Sequence, residues 1–413
     1  MLNAADIEIL RELGRQVHEI ASLPVQAEKR KLWRALNDLE MVRPMVMIDQ
    51  ILWHEMDIDG SLTCRVQDEF WRGVECGLRQ QLYKWRYMPA DMVVEDEICV
   101  PKAISDSGCG LSVSQDVVVT DERNSVVGHA YHRQIDTMDD IAKLKTPVVT
   151  HDEAESARRL SQAHEIFDGI IPVRLSGGVV WFGMWDRLIE LMGVEQTMYD
   201  LVDRPEFIHA VCERWTQIEL ARLDQYERLN LLDALNTTMH CTHTYNSLIP
   251  GPDFTPGINR ARDCWTMGMA QIFVNVSPAM HCEFELEYAQ RFYKRFGLVN
   301  YGCCEPLHNK IDDILRYIPN ARKISVSPWA NVDIAAEHLG KRAVLTRKPN
   351  PAFVSSAGFN WEGARAEIDA TLRAAARNGC AVEFVLKDLS SVGYKPQNLF
   401  EWEKRTMEIV TNC

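Results

Sequence analysis

Two adjacent thiols followed by a carboxylate lie in the stretch Asn300-Tyr301-Gly302-Cys303-Cys304-Glu305-Pro306, with His308 two residues beyond. Thiolate, imidazole and carboxylate are the ligands zinc takes, and a catalytic zinc keeps one position open. The spacing of a structural zinc site, C-x-x-C paired with a second such motif, is absent, and adjacent cysteines are badly placed to bond each other. His281 and Glu283, just after Ser277-Pro278, are candidates to complete the site. The alternative for Glu283 is helix capping, because Ser277 is a good N-cap and an acid in a first turn suits the helix dipole. His240, Cys241 and His243 form a second ligand-rich cluster, read either as metal contacts or as a polar loop that touches substrate. Lys387-Asp388 offers a buried lysine able to act as acid or base, or else a plain ion pair. The other reading of Cys303 and Cys304 is that they are small residues in a tight glycine-containing turn.

Such groups need strands and helices to position them. Phe296-Gly297-Leu298-Val299 reads as a buried strand and Ile311 to Leu315 has helical spacing, so the thiols fall in a βα loop. Loops of that kind carry the active sites of α/β barrels. On either side, strand-like Leu231 to Leu235 leads to the His240 loop, and Gln271 to Val276 leads to a helix from Met280 to Phe296. Further on, Lys323 to Val326, Ala343 to Thr346 and Ala381 to Leu386 end at Ser327, Arg347 and Lys387. The alternation recurs every roughly 25 to 40 residues, as βα units do. Met45 to Ile48 suits a first buried strand with Trp53 and His54 beyond its end, and Met92 to Ile104 and Ile170 to Val173 suit two more. Val117-Val118-Val119 and Val126-Val127 flank the turn Asp121-Glu122-Arg123-Asn124, a hairpin excursion around 112–137. In residues 1–44, Ile7, Leu10, Leu13 and Val17 and then Leu32, Leu36 and Leu39 predict lead-in helices. The expected fold is an α/β, (β/α)8 TIM-type barrel over 45–413 with N-terminal helices and a β-hairpin excursion.

At 413 residues, 46% hydrophobic, the chain can bury a large core. A net charge of -14 without any basic block excludes a nucleic-acid surface. The most apolar stretch, Gly177 to Trp185, is far shorter than the roughly 20 residues of a membrane span, and Asp6, Glu8, Arg11 and Glu12 interrupt any signal-peptide core. Twelve cysteines in such a chain read as reduced thiols of a cytoplasmic protein, with Cys99, Cys212 and Cys380 as core filler. Neither a dinucleotide fingerprint nor a P-loop is present. Tryptophans near strand ends are core or rim residues, or line an aromatic pocket.

The segment from Ala270 to Ala352, with Val276-Ser277-Pro278, Met280-His281, Tyr301 to His308, Ser327-Pro328-Trp329 and Lys348-Pro349-Asn350-Pro351, resembles the uroporphyrinogen decarboxylase-like superfamily. More narrowly it is similar to the branch linked to corrinoid-dependent methyltransferases of anaerobes. Tyr83-Lys84-Trp85, Pro89 to Glu95 and Lys387-Asp388 extend the resemblance toward both ends. The resemblance implies a barrel, often a homodimer, reacting at its C-terminal mouth. True uroporphyrinogen decarboxylases carry M-R-Q-A-G-R where this chain has Ile48-Asp49-Gln50-Ile51-Leu52-Trp53, so tetrapyrrole decarboxylation is not expected. Zinc methyltransferases of the superfamily use H-x-C and a distal Cys, where this chain has Tyr301-Gly302-Cys303 and Lys387-Asp388. A metal here therefore calls on Cys303, Cys304 and Glu305, supplemented from His281, Glu283, His240 or Cys241. The implied reaction moves a methyl group from a small methylated donor, an aryl methyl ether, to a corrinoid protein, assisted by zinc or by acid catalysis from Lys387, His281 or Glu305. Trp53, His54, Glu95, His240, Cys241, His308 and Trp329 are the expected substrate contacts. The rival readings are a metal-assisted decarboxylase or lyase of a non-porphyrin acid, and a non-catalytic corrinoid- or ligand-binding barrel.

Overall fold

The structure, a computed structural model, describes residues 2–119, 122, 124, 126–355 and 358–413. Eight short strands form its parallel pairings: β1 (Met45–Ile48), β2 (Ile98–Pro101), β3 (Val173–Ser176), β4 (Trp265–Gly268), β5 (Leu298–Tyr301), β6 (Ala321–Val326), β7 (Val344–Arg347) and β8 (Val382–Leu386). Six make one parallel sheet in the order β4-β5-β6-β7-β8-β1, while β2 pairs with β3 separately. Single hydrogen bonds extend the outer strands of the six. Asp91 N donates to Val46 O at 3.0 Å, and Phe182 N donates to Met267 O at 3.1 Å.

Strands buried on both faces favour parallel pairing with helical cover. β1 shows the alternation directly: Val46 and Ile48 join one core cluster, whereas Met45 and Met47 join another with Leu10, Leu13 and Trp33 of the N-terminal helices Ala4–Ala21 and Pro24–Asn37. Among the described residues no helix is long and apolar enough to cross a membrane. The hairpin forms between Gln115–Val118 and Gly128–Tyr131, and Asp121 and Arg123 of its expected turn lie outside the described residues.

Three expected elements differ. The strand expected over Gln271–Val276 is a 3-10 turn, and β4 precedes it. There a Cβ on Gly268 would lie 1.4 Å from the Tyr293 hydroxyl, so only glycine admits that helix against the strand end. Leu231 to Leu235 contributes one bridge, Leu232 to Gly178, rather than a strand. The helix after Pro278 is interrupted by a π turn at Cys282–Leu286. Cys99, expected in the core, is exposed, while Cys212 and Cys380 are buried.

Polar side chains tie the strands of the sheet together. Lys323 on β6 and Glu383 on β8, both fully buried, pair at 2.7 Å. Thr242 donates to Glu383 at 2.6 Å, Thr346 also donates to it, and Lys323 donates to His243 O at 3.1 Å. Losing one partner of a buried pair leaves an uncompensated charge. Glu383→Leu is expected to cost about 3–5 kcal/mol in urea unfolding. The Lys323→Met, Glu383→Leu double variant should recover more than half of that loss.

Candidate functional site

The thiol loop begins with Gly302 at φ 90°, where a Cβ would meet Ser325 O at 2.7 Å. Glycine is the residue that takes this conformation without strain. Glu305 then turns inward, 1% exposed, and accepts from Cys303 N at 2.6 Å and Ala270 N at 2.8 Å. Its carboxylate thus ties the thiol loop to the chain just beyond β4. Burial, with the charge of Cys303 adding, pushes the Glu305 carboxyl up to about 7.

Across the sheet, one residue beyond β8, Lys387 Nζ donates to Cys303 Sγ at 2.9 Å. Cys304 Sγ lies 3.3 Å from Cys303 Sγ and 2.8 Å from Asp388 Oδ2, two acceptors for its one proton, while Asp388 Oδ1 is 3.0 Å from Lys387 Nζ. The two thiols share the stabilisation of one negative charge. The hydrogen bond from Cys304, followed by His240 and Lys387, draws Cys303 well below the ordinary thiol range despite its burial. Cys304 is raised by the same contact, and by burial. Burial lowers Lys387, but Cys303, Cys304 and Asp388 outweigh it and hold the ammonium above its ordinary value.

His240 and Cys241 form the turn of a small hairpin between Thr238–Met239 and Thr242–His243, at φ 50° and 68°. A two-residue hairpin turn of this hand normally takes Asn-Gly, and bulkier residues at positive φ carry strain of the kind that collects at functional sites. The turn brings His240 Nδ1 within 3.0 Å of Met267 Sδ. His240 Nε2, buried without a hydrogen-bond partner, still lies close enough to Cys303 to favour the thiolate.

Cys303, Cys304, Lys387, His240 and Cys241 therefore gather in one place, with Glu305 beneath them as the anchor of the loop. Other expected residues stand apart from the thiols in their contacts. His281 is buried with Nε2 on the Tyr301 hydroxyl at 2.9 Å, and burial pulls its pKa down to about 3. Glu283 is half exposed and meets His209 at 3.2 Å. Trp53 packs edge-on against Tyr83, His54 lies beside Glu55, and Glu95 pairs with Arg30 at 2.9 Å. His308 sits in the 3-10 turn Leu307–Asn309, and Trp329 is 73% exposed.

Sequence reasoning gave Asp388 no part in binding and passed over Lys348, Asp186 and Glu285. Lys348 stands at the strand-end offset that singles out Lys387, a signal that was available. Glu285 had none: the π turn buries both of its oxygens without a hydrogen-bond partner among the described residues, and burial raises its carboxyl well above the usual range. Asp186 is likewise pushed up to about 6 by burial.

One sulfur from each of Cys303 and Cys304 and one oxygen of Asp388 lie within 4.8 Å of one another, the donor set and compactness a zinc ion takes. Asp388 is the carboxylate set beside both sulfurs, while Glu305 accepts from the Cys303 amide and His281 and Glu283 meet Tyr301 and His209. A cavity of about 300 Å³, lined by Asp233, Thr237 and Trp265, lies toward the opening residue of β4, and neither thiol, Lys387 nor Asp388 lines it.

A thiolate absorbs near 240 nm where a thiol does not, and a neighbouring cation lowers a thiol's pKa. In metal-free protein, an absorbance step is expected below the free-thiol range. It should vanish in Cys303→Ser and move to higher pH in Lys387→Met, as read by titration at 240 nm.

No protein-family model and no curated protein matches this sequence. Among solved structures, a methyltransferase from Methanosarcina mazei is similar over 92% of this chain and 97% of its own, with 12% identity and a TM-score of 0.49. At that identity and score the likeness says nothing about activity.

Proposed function

We propose that this chain is a methyltransferase of the uroporphyrinogen decarboxylase-like superfamily, moving a methyl group from a small aryl methyl ether to a corrinoid carried by a partner protein. The observation that carries the reading is the thiolate, ammonium and carboxylate cluster at the carboxyl ends of parallel strands, where α/β barrels place their chemistry. A closed eight-strand barrel is part of the proposal. It is supported by hydrogen bonding that runs from β1 to Asp91, from β2 to β3, from Phe182 to β4 and then through the six-strand sheet back to β1.

Zinc held by Cys303, Cys304 and Asp388 would supply Lewis acidity toward the ether oxygen. The chain's own groups do the rest. Lys387, kept charged by the thiols, stabilises negative charge as it builds on the departing phenolate and is a poor proton donor at neutral pH. Glu305 fixes the thiols through two backbone amides. His240 supports the thiolate from the opposite loop.

The second reading, a metal-assisted decarboxylase of a non-porphyrin acid, draws on Lys348, a buried amine facing Cys303 without a hydrogen-bond partner among the described residues. Incubation with methoxyarenes and reduced corrinoid protein separates the two. Methylated corrinoid and free phenol are expected, falling at least about 100-fold in the Cys303→Ser, Cys304→Ser double variant, the loss that removing several kcal/mol of stabilisation brings. Carbon dioxide released from an acid without methyl transfer favours the second reading and contradicts the first.

A further inference from the structure

Lys348 follows β7 by one residue, the offset at which Lys387 follows β8 and Asp49 follows β1. Its N–H donates to Val326 O at 3.0 Å, which fixes the backbone, but its side chain is 3% exposed and Nζ has no hydrogen-bond partner among the described residues. Burying an ammonium without a partner is unfavourable, and burial accordingly lowers its pKa, with Cys241 and Cys303 the thiols that face it. Native structures pair nearly all buried polar groups, so an exception calls for a reason.

The neighbouring acids are already engaged. Glu383 is taken by Lys323, Thr242 and Thr346, and Asp388 and the Cys303 thiolate by Lys387. Asp49 accepts from Gln50 N and faces Lys84. Lys84 in turn faces Cys241, so Lys84, Lys348 and Lys387 converge on the two cysteine-bearing loops. In a chain of net charge -14, that is a local focus of positive potential. Lys323 and Lys387 have ion-pair partners there, whereas Lys348 Nζ has no hydrogen-bond partner among the described residues.

We propose that Lys348 is an anion-binding group, and that the small molecule this site takes bears a carboxylate that pairs with Lys348 while its methylated end lies at the thiols. The identification of that molecule as a methyl donor rests on the function proposed above; the anion subsite does not. A carboxylate supplies the acceptor that Nζ lacks, and a charge-assisted hydrogen bond in a dry setting is a strong one. It also gives the site a means of choosing among methoxyarenes, since a donor without the carboxylate leaves a buried amine unpaired.

The test is calorimetric titration of the full chain with benzoate, benzamide and inorganic phosphate. Benzoate is expected to bind at least about tenfold more tightly than benzamide or phosphate. Lys348→Met should abolish that preference, Lys348→Arg should retain it, and the melting temperature of Lys348→Met should stay level or rise, because an unpaired buried amine becomes an apolar chain of similar size. The proposal is overturned if benzoate binds no better than benzamide, if Lys348→Met keeps the preference, or if phosphate binds as tightly as benzoate, which would mark a site for inorganic anions. Methyl transfer from 4-methoxybenzoate and from anisole keeps the two claims separate. Benzoate binding without transfer from either compound overturns the methyltransferase reading alone, and equal transfer from both without benzoate binding overturns the anion subsite alone.

Discussion

The contact between Lys387 and Cys303 constrains the whole molecule. β5 and β8 are three steps apart in the sheet, about 14 Å at the usual strand spacing, yet groups just beyond their ends meet at 2.9 Å. The Lys387 side chain and the two residues Gly302-Cys303 beyond β5 bridge that separation, and the pairing of Lys323 with Glu383 joins strands two steps apart deeper in the sheet. Everything assigned to the site follows from this convergence.

The charges are arranged to match. Behind the thiol loop, Glu305, Asp186 and Glu285 are carboxyls whose burial raises their pKa and favours the protonated form. In front stand Lys387 and Lys348. Burial weakens the negative charge that these carboxyls set against a thiolate at Cys303, and the Lys387 ammonium supports that thiolate directly. An acidic chain keeps its surface negative while concentrating lysine where sulfur must ionise, in line with the rule that perturbed pKa values gather at functional sites.

How much of this was legible depends on how far apart in sequence the partners lie. β5 and β8 are largely apolar runs bounded by turns, and the thiols fall just beyond the first of them, so local pattern places the loop. β4 was misplaced because Trp265-Thr266-Met267-Gly268 has no apolar run, whereas Ile272-Phe273-Val274 does. The terminating Gly268 is explained only by Tyr293, a contact made through tertiary packing. Glu305 has the chemistry of a ligand, but its acceptors are spent on Ala270 and Cys303 amides, which sequence cannot reveal. The type of the His240-Cys241 turn was equally hidden, since neither residue advertises positive φ.

The most direct test of the central claim, that Cys303, Cys304 and Asp388 form one metal-competent centre, is X-ray absorption at the zinc edge of the zinc-loaded chain. Two sulfur scatterers near about 2.3 Å with lighter oxygen or nitrogen neighbours are expected, both sulfurs being lost in the Cys303→Ser, Cys304→Ser variant. A shell of oxygen and nitrogen alone, or a sulfur shell unchanged by that double substitution, would contradict the account.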